Sequence, residues 1–524
     1  MFSIRHVYRN CKLVTIGRDF FTAGGAWKSI HECFRHAEAK GEAVRLIDRK
    51  NRQTLRQLLA TGVFAPPVFD QRTRLFPLIE TAPAGFSPSG HSFKTNRTMR
   101  LLITEEALDN ARGHFLEYIK DIVSECDNQE IEPVVAVHRN ADEDVTSQLP
   151  TIRVHPVNVW NSRTNGSANR IVRILRVFQH NFRLARALRK AIREHGPFDC
   201  VLAPTNLVDH TLGHYLVARW LQRNNADTHY VLIFVDSVGV HDADGNLHFP
   251  RRTGLLRRFI RLFERLQQEG RATLCVETPE MGRHYHRFSG LRFEVVPHVV
   301  QFDTADLDRR RDEVTRDEIV AFGSFGFARF DKGTDILQEA VRLIFEKTPE
   351  FETRFFIQWN RDFDFDDGRT ATISPTLREN PLVHYITEVF DKDAYLDYLA
   401  RTDIVVLPYR RFFYRERLSR VAIDAAIAGI PFIAPEGTWL SRFQEKYGAG
   451  LTFEPERPES LAEMIREARK QSDDLKARAR SRMKAAAEAF GPEAFLRRIK
   501  EFCGQQEKQL NKPASASDER APSQ

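Results

Sequence analysis

No run of eighteen or more apolar residues occurs in the 524 residues, and the amino end, MFSIRHVYRNCK, has neither an apolar stretch nor a small-residue cleavage site. A membrane span and a secretory leader are therefore not expected, and the chain is placed in the cytoplasm. Cysteine is scarce. Cys11, Cys33, Cys126, Cys200, Cys275 and Cys503 form no C-x-x-C pair and no Cys/His zinc spacing, so they read as free buried thiols. Strong charge of one sign is also lacking, because 78 Lys and Arg stand against 71 Asp and Glu, a net charge of only +7. With no nucleic-acid-binding module or aromatic stacking pattern beside the arginines, nucleic acid is not expected as a partner. The phosphate-binding G-x4-G-K-[ST] loop is missing too, which excludes a Walker-type site.

What the chain does contain is alternation. From Arg100 onward, short β-branched runs alternate with stretches of helical period, the pattern of parallel sheets covered by helices. The first series predicts strands at Leu101–Thr104, Glu132–Val137, Cys200–Ala203, Tyr230–Val235, Thr273–Val276 and Arg292–Val296. Its helices are expected at Ala111–Ser124, Asn169–Glu194, Thr211–Gln222 and Gly254–Gln268. The second predicts strands at Glu318–Phe322, Phe351–Gln358, Leu382–Ile386, Ile404–Leu407, Pro431–Ala434 and Leu451–Phe453. Helices are expected there at Lys332–Thr348, Asp391–Ala400, Arg420–Ala428 and Pro458–Phe490.

The charged run Asp303–Asp317 divides the two series, so the expected fold is α/β: two doubly wound, Rossmann-like domains at 96–302 and 316–490, with a ligand cleft at the carboxyl ends of both sheets. A helix at 491–510 and a disordered tail at 511–524 would follow. Residues 1–95 fit neither series. Leu13–Gly17, the Gly24-Gly25 stretch to Lys40 and Ala43–Ile47 read there as an accessory β-loop-helix-β unit.

Two blocks carry the chemistry. In Ile404–Pro435 an apolar strand ends in the polar loop PYRRFFYRERLS, Ser419 can cap a helix, and Gly429-Ile430-Pro431 stops that helix before the next strand. Glu416 and Asp424 stand in this block with seven residues between them. In the other block, IVAFGSFGFARFDKGTDILQEAV, a strand runs through Gly323 and Gly326 into Arg329, Lys332 and a helix start. Glycines there admit a close backbone approach, while the cations and the helix amino terminus suit a diphosphate.

Together these blocks resemble the retaining glycosyltransferases of the GT-B fold, family four, the group 1 type. The resemblance lies in the E-x7-E element with its small-Gly-x-Pro ending and in the strand-Gly-Arg…Lys-Gly segment. It implies that Glu416 lies near the donor sugar, that Asp424 holds the nucleotide ribose, and that Lys332 and Arg329 grip the diphosphate. Backbone groups at Glu388 and Val389 would meet the base, with Tyr414, Arg415, Arg417 and Ser419 adding donors. In the amino-terminal domain Gly113 and His114 would face the phosphates and acceptor, while Thr205, Asn206, His210 and Asp236 end strands that open on the same cleft. Catalytic roles thus fall on Glu416, Lys332 and His114.

No cofactor and no metal are expected, since the one D-x-D spacing, in Asp362–Asp367, lies away from both blocks. The partners implied are a nucleotide-sugar and a sugar, lipid-linked or other acceptor. Two departures from the family pattern, Asp424 in place of Glu and Arg417-Leu418-Ser419 in place of a glycine-rich run, leave a second reading open: an inactive glycosyltransferase-like binding or scaffold protein. Finally, Arg170–Arg193 and Arg251–Arg265 interleave arginines with apolar residues, and each suits either an anionic membrane surface or a plain solvated helix face.

Overall fold

The computed structural model describes residues 98–110, 115–158, 170–242, 245–250, 253–314, 319–365 and 367–510. The accessory unit expected in residues 1–95, Gly113, His114 and the tail from 511 lie outside them.

The first sheet has seven parallel strands in the order β3-β2-β1-β4-β5-β8-β9. These are β1 (Met99–Thr104), β2 (Ile131–His138), β3 (Thr151–His155), β4 (Cys200–Asn206), β5 (His229–Phe234), β8 (Ala272–Val276) and β9 (Glu294–Val295). Strands β6 (Val240–His241) and β7 (Leu247–His248) form a separate hairpin. Every residue of β5 is buried, as a central strand covered on both faces requires. The covering helices are α1 (Phe115–Val123), α2 (Glu143–Thr146), α3 (Arg170–His195), α4 (Thr211–Arg223), α5 (Gly254–Arg261), α6 (Glu264–Gln268) and α7 (Pro279–Ser289). The helix expected over Gly254–Gln268 is therefore two helices, with Phe263 buried at the break. Strand β3 and helix α7 were not expected. Thr278 nevertheless caps α7 by accepting from the Met281 amide at 3.2 Å, Pro279 opens it and Gly290 closes it.

The second sheet is six-stranded and parallel, β14-β11-β10-β15-β16-β17. It comprises β10 (Val320–Ser324), β11 (Thr353–Gln358), β14 (Val383–Ile386), β15 (Ile404–Val406), β16 (Phe432–Pro435) and β17 (Thr452–Phe453). The hairpin of β12 (Phe363–Asp364) and β13 (Thr370–Ala371) holds most of the acidic run. Its helices are α8 (Thr304–Glu313), α9 (Thr334–Lys347), α10 (Pro375–Arg378), α11 (Lys392–Ala400), α12 (Arg411–Tyr414), α13 (Arg420–Ile427), α14 (Trp439–Tyr447), α15 (Pro458–Lys470), α16 (Ser472–Phe490) and α17 (Pro492–Leu510).

The stretch expected as one helix, Pro458–Phe490, divides at Gln471 because its halves serve opposite faces of the sheet: α15 packs on α9, and α16 on α13. The charged run at Asp303 is itself mostly helix α8, capped by Asp303 and tied to α11 through Arg310, which binds Asp393 and Asp397 at 2.6 Å each. Helix α17 crosses back to the first domain. Phe495, Leu496, Ile499 and Phe502 are buried with Leu101, Leu116 and Ile119 in one core of the first sheet. The two chain crossings meet where the Val300 amide donates to the Phe490 carbonyl at 2.9 Å.

Candidate functional site

Strand β10 delivers the glycine block to the carboxyl edge of the second sheet. Gly323 lies within the strand, where an added Cβ would meet the Phe325 ring at 2.5 Å, so its bare backbone makes room for that side chain. Gly326 follows in the loop at φ +106°, a conformation open to glycine. Its amide donates to Gln358 Oε1 at 2.6 Å, and Gln358 Nε2 donates to the Glu388 carbonyl at 3.0 Å. One side chain at the end of β11 thus joins the glycine loop to the segment after β14. Val389 beside it is 60% exposed and makes an apolar rim.

Lys332 is the focus of this half. Its Nζ donates to Tyr409 Oη at 2.6 Å, and it lies 3.9 Å from the centre of the Tyr409 ring and 5.5 Å from that of Tyr414. Burial, reinforced by the nearby Arg329 guanidinium, pulls the amine down to about 7, so near neutral pH it carries only part of a charge. Arg329 binds Asp331 at 2.9 Å and keeps an exposed flank. Next comes Gly333 at φ +64°, where a Cβ would lie 2.0 Å from the Pro408 carbonyl oxygen; α9 starts at the following residue. Arg410 braces the turn by a two-pronged bond to Asp335 at 3.0 and 2.6 Å.

Ser419 caps α13 through the Ala422 amide and donates to Tyr409 Oη at 3.5 Å, which links the two sequence blocks through a single phenol. Tyr414 packs on Tyr409 with ring centres 4.4 Å apart, and burial raises its hydroxyl to about 12. Asp424, on α13, is buried and accepts from Tyr395 Oη at 3.0 Å. Arg420 Nε lies 3.7 Å from its Oδ1, which has no hydrogen bond. Burial raises this carboxyl to about 6 despite the arginine. Arg415 donates to the Gly245 carbonyl of the first domain, and Arg417 lies 5.9 Å from the centre of the Tyr414 ring.

Glu416 points elsewhere. Its buried carboxylate faces the first domain, accepting from Ser237 Oγ at 3.1 Å and lying 3.3 Å from His241 Nε2 and 2.5 Å from His284 Nδ1. Thr278 Oγ1 also donates to its main-chain carbonyl at 2.8 Å. Glu416 and the two imidazoles have the spacing of a metal-ligand set. His241 and His284 carried no sequence signal, since α7 and the β6–β7 hairpin were not expected, whereas Ser237 directly follows Asp236, which the sequence does single out. Arg420 adds a further bridge between the domains, 2.9 Å from Asp121.

At the carboxyl edge of the first sheet, Glu105 and Glu106 follow β1 directly and are both buried. Glu105 accepts from Thr205 Oγ1 and from the Ala107 amide at 2.9 Å, and burial raises it to about 7. Glu106 lies 2.8 Å from His180 Nε2 on α3 and 3.2 Å from His210 Nδ1. His155 and His214 complete the group. Burial holds them down to about 4 and about 3, and they bond Thr104 Oγ1 and Tyr230 Oη at 3.0 and 2.8 Å. Of the residues expected here, Thr205 and His210 thus bind this acidic pair. Asn206 donates to Thr211 Oγ1, and the Asp236 carbonyl accepts from Tyr285.

The two basic stretches come together. Phe178 of α3 meets Phe259 of α5 edge-on at 5.7 Å, with Leu175 and Phe182 exposed among the exposed Arg173, Arg176, Arg183, Arg257, Arg258 and Arg261. No described helix is long and apolar enough to cross a membrane.

Residues 316–471 match the model of the family described as Glycosyl transferases group 1. Among solved structures, the chain resembles a glycosyltransferase from Rickettsia africae at 14% identity, covering 79% of this chain and 100% of that one with a TM-score of 0.54. It also resembles sucrose-phosphate synthase from Thermosynechococcus elongatus at 15% identity, covering 79% and 99% with a TM-score of 0.52. HepE from Anabaena, in complex with UDP, is similar at 14% identity, 78% and 100% coverage and a TM-score of 0.52. No curated protein matches. At these identities the likeness establishes the fold, which is GT-B.

Proposed function

We propose that this GT-B chain, whose residues 316–471 form a domain of the group 1 glycosyl transferases, moves a sugar from a nucleoside-diphosphate sugar to an acceptor with retention of anomeric configuration. The observation that carries the reading is Lys332, a buried amine lowered to about 7 at the foot of α9 and beside Gly326. Burial drains its charge, and a bound diphosphate restores it by supplying two anionic groups. The amine, Arg329 and the helix amino terminus then stabilise the diphosphate as it leaves the sugar. In this arrangement no metal is assigned to the diphosphate. The Glu388–Val389 segment, fixed by Gln358, borders the base, and Asp424 offers the unbonded Oδ1 to a ribose hydroxyl. Glu416 acts on the sugar side of the cleft. HepE binds UDP and UDP-glucose, which makes uridine donors the first to test.

The joined basic face of α3 and α5, with apolar side chains exposed among its arginines, favours an acceptor held at an anionic membrane. The enzyme would then work from the cytoplasmic side on a surface polysaccharide or glycolipid. Vesicles with and without anionic lipid test that part: co-sedimentation that requires the anionic lipid and falls in Arg176→Glu/Arg183→Glu supports it, and equal binding to neutral vesicles overturns it.

The donor reading is tested by thermal unfolding against a panel of nucleotides and nucleotide-sugars. A ligand at a hundred times its dissociation constant adds about 2.7 kcal/mol to the folded state. One nucleoside diphosphate is expected to stabilise the wild type and to lose its effect in Lys332→Ala. If no nucleotide stabilises the folded wild type, the reading fails and a scaffold role takes its place.

A further inference from the structure

The Lys332 pocket serves the donor, and the Glu416 cluster borders the same cleft. A separate group of titratable side chains gathers around the acidic pair at the end of β1. Glu106, His180 and His210 come from three separate segments, a strand end, the middle of α3 and the turn before α4. They place one carboxylate and two imidazole nitrogens within 4.8 Å of one another. The Glu106 and His210 side chains are 9% and 7% exposed, and that of His180 is 12% exposed. No lysine or arginine pairs with Glu106 among the described residues.

We propose that Glu106, His180 and His210 form a binding site for a divalent transition-metal ion of the zinc class. Two features support it. The Glu106 carboxylate lies 2.8 Å from His180 Nε2 and 3.2 Å from His210 Nδ1, so one nitrogen of each ring gathers at the same carboxylate. Glu106 and His210 also line a small pocket with Thr205 and Asn206, and Asn206 Oδ1 has no hydrogen-bond partner there. Two imidazoles and a carboxylate with a polar pocket alongside match a three-ligand zinc site that keeps one position open. The adjoining pocket, about 10 Å³, leaves that position room for one water. The ion is separate from the donor diphosphate, and the inference does not depend on the identity of the donor.

The test uses the full chain, stripped with a chelator and titrated with cobalt(II) chloride, then with zinc sulfate. Cobalt is expected to bind with a visible spectrum of low coordination number and to be displaced by zinc. The variants His180→Asn and His210→Asn are expected each to lose one equivalent of metal while His284→Asn keeps it, which separates this site from the Glu416 cluster. Where an imidazole variant fails to fold by circular dichroism, the isosteric Glu106→Gln takes its place with the same readout. The proposal is overturned if the stripped protein takes up no metal at micromolar concentrations, or if uptake survives these variants unchanged.

Discussion

In the carboxyl-terminal domain the glycine loop and α9 gather around one amine, Lys332, which lies against the packed rings of Tyr409 and Tyr414. In the amino-terminal domain the corresponding group is a pair of adjacent carboxylates, Glu105 and Glu106, ringed by His155, His180, His210 and His214. Both groups sit at the carboxyl edge of a parallel sheet, the place where such folds bind ligands. The same architecture thus places a cation at one sheet edge and a pair of carboxylates at the other.

The sharpest way to break this comparison is at Glu416, which comes from one domain and contacts the other. Glu416→Gln is expected to lower kcat by about 100-fold or more, with nucleoside-diphosphate affinity within a few-fold of wild type. An equal loss of affinity by calorimetry would move Glu416 into the donor pocket. Next in size is Gly333→Val, which forces a branched side chain to φ +64° and against the Pro408 carbonyl. It should cost about 3 kcal/mol in urea unfolding. Lys332→Met should weaken nucleoside-diphosphate binding about 100-fold, or 2–3 kcal/mol, and weaken a nucleoside monophosphate less.

Two pH effects are smaller. Asp424 has its folded-state pKa raised from 3.8 to about 6, so its contribution is fully present below about pH 4 and is lost as the pH rises through 6. Asp424→Asn should remove that loss, about 2–3 kcal/mol between pH 4 and 7.5 by chemical denaturation. Lys332 is shifted the other way, from 10.5 to about 7. A diphosphate that restores its charge takes up close to one proton at pH 8, and affinity falls by up to about tenfold per pH unit above 7. Calorimetry in two buffers of different ionisation heat measures the uptake, which should vanish in Lys332→Met.

The alternation of strands and helices was legible because parallel strands buried on both faces are written as apolar runs, as in HYVLIF of β5. Edge strand β3, TIRVH, is half polar and gave no such run. Helix α14 was missed although its signal was present: Thr438 caps it, and the buried Trp439, Leu440 and Phe443 keep helical spacing. At the site, residues close in sequence were readable as blocks: Gly326 with Lys332, and Ser419 with Asp424. Tyr409 and Gln358, which join the blocks, fell within or beside the stretches singled out, but their bonding depends on tertiary packing. The groups around Glu416 and Glu106 are assembled from distant segments, so no spacing could announce them. That is why an expectation of no metal, drawn from spacing, did not touch them. Glu105 and Glu106 were nonetheless open to the rule that brought out Thr205 and His210, since they too follow directly on a strand end.

The return of α17 to the first sheet has a consequence for synthesis. The core around Leu101 and Ile119 is completed by Phe495, Leu496, Ile499 and Phe502, so the domain made first lacks part of its interior until the second has been translated. While the ribosome works through residues 303–490, that apolar patch stays open, a window for chaperone binding or for mispairing between neighbouring nascent chains.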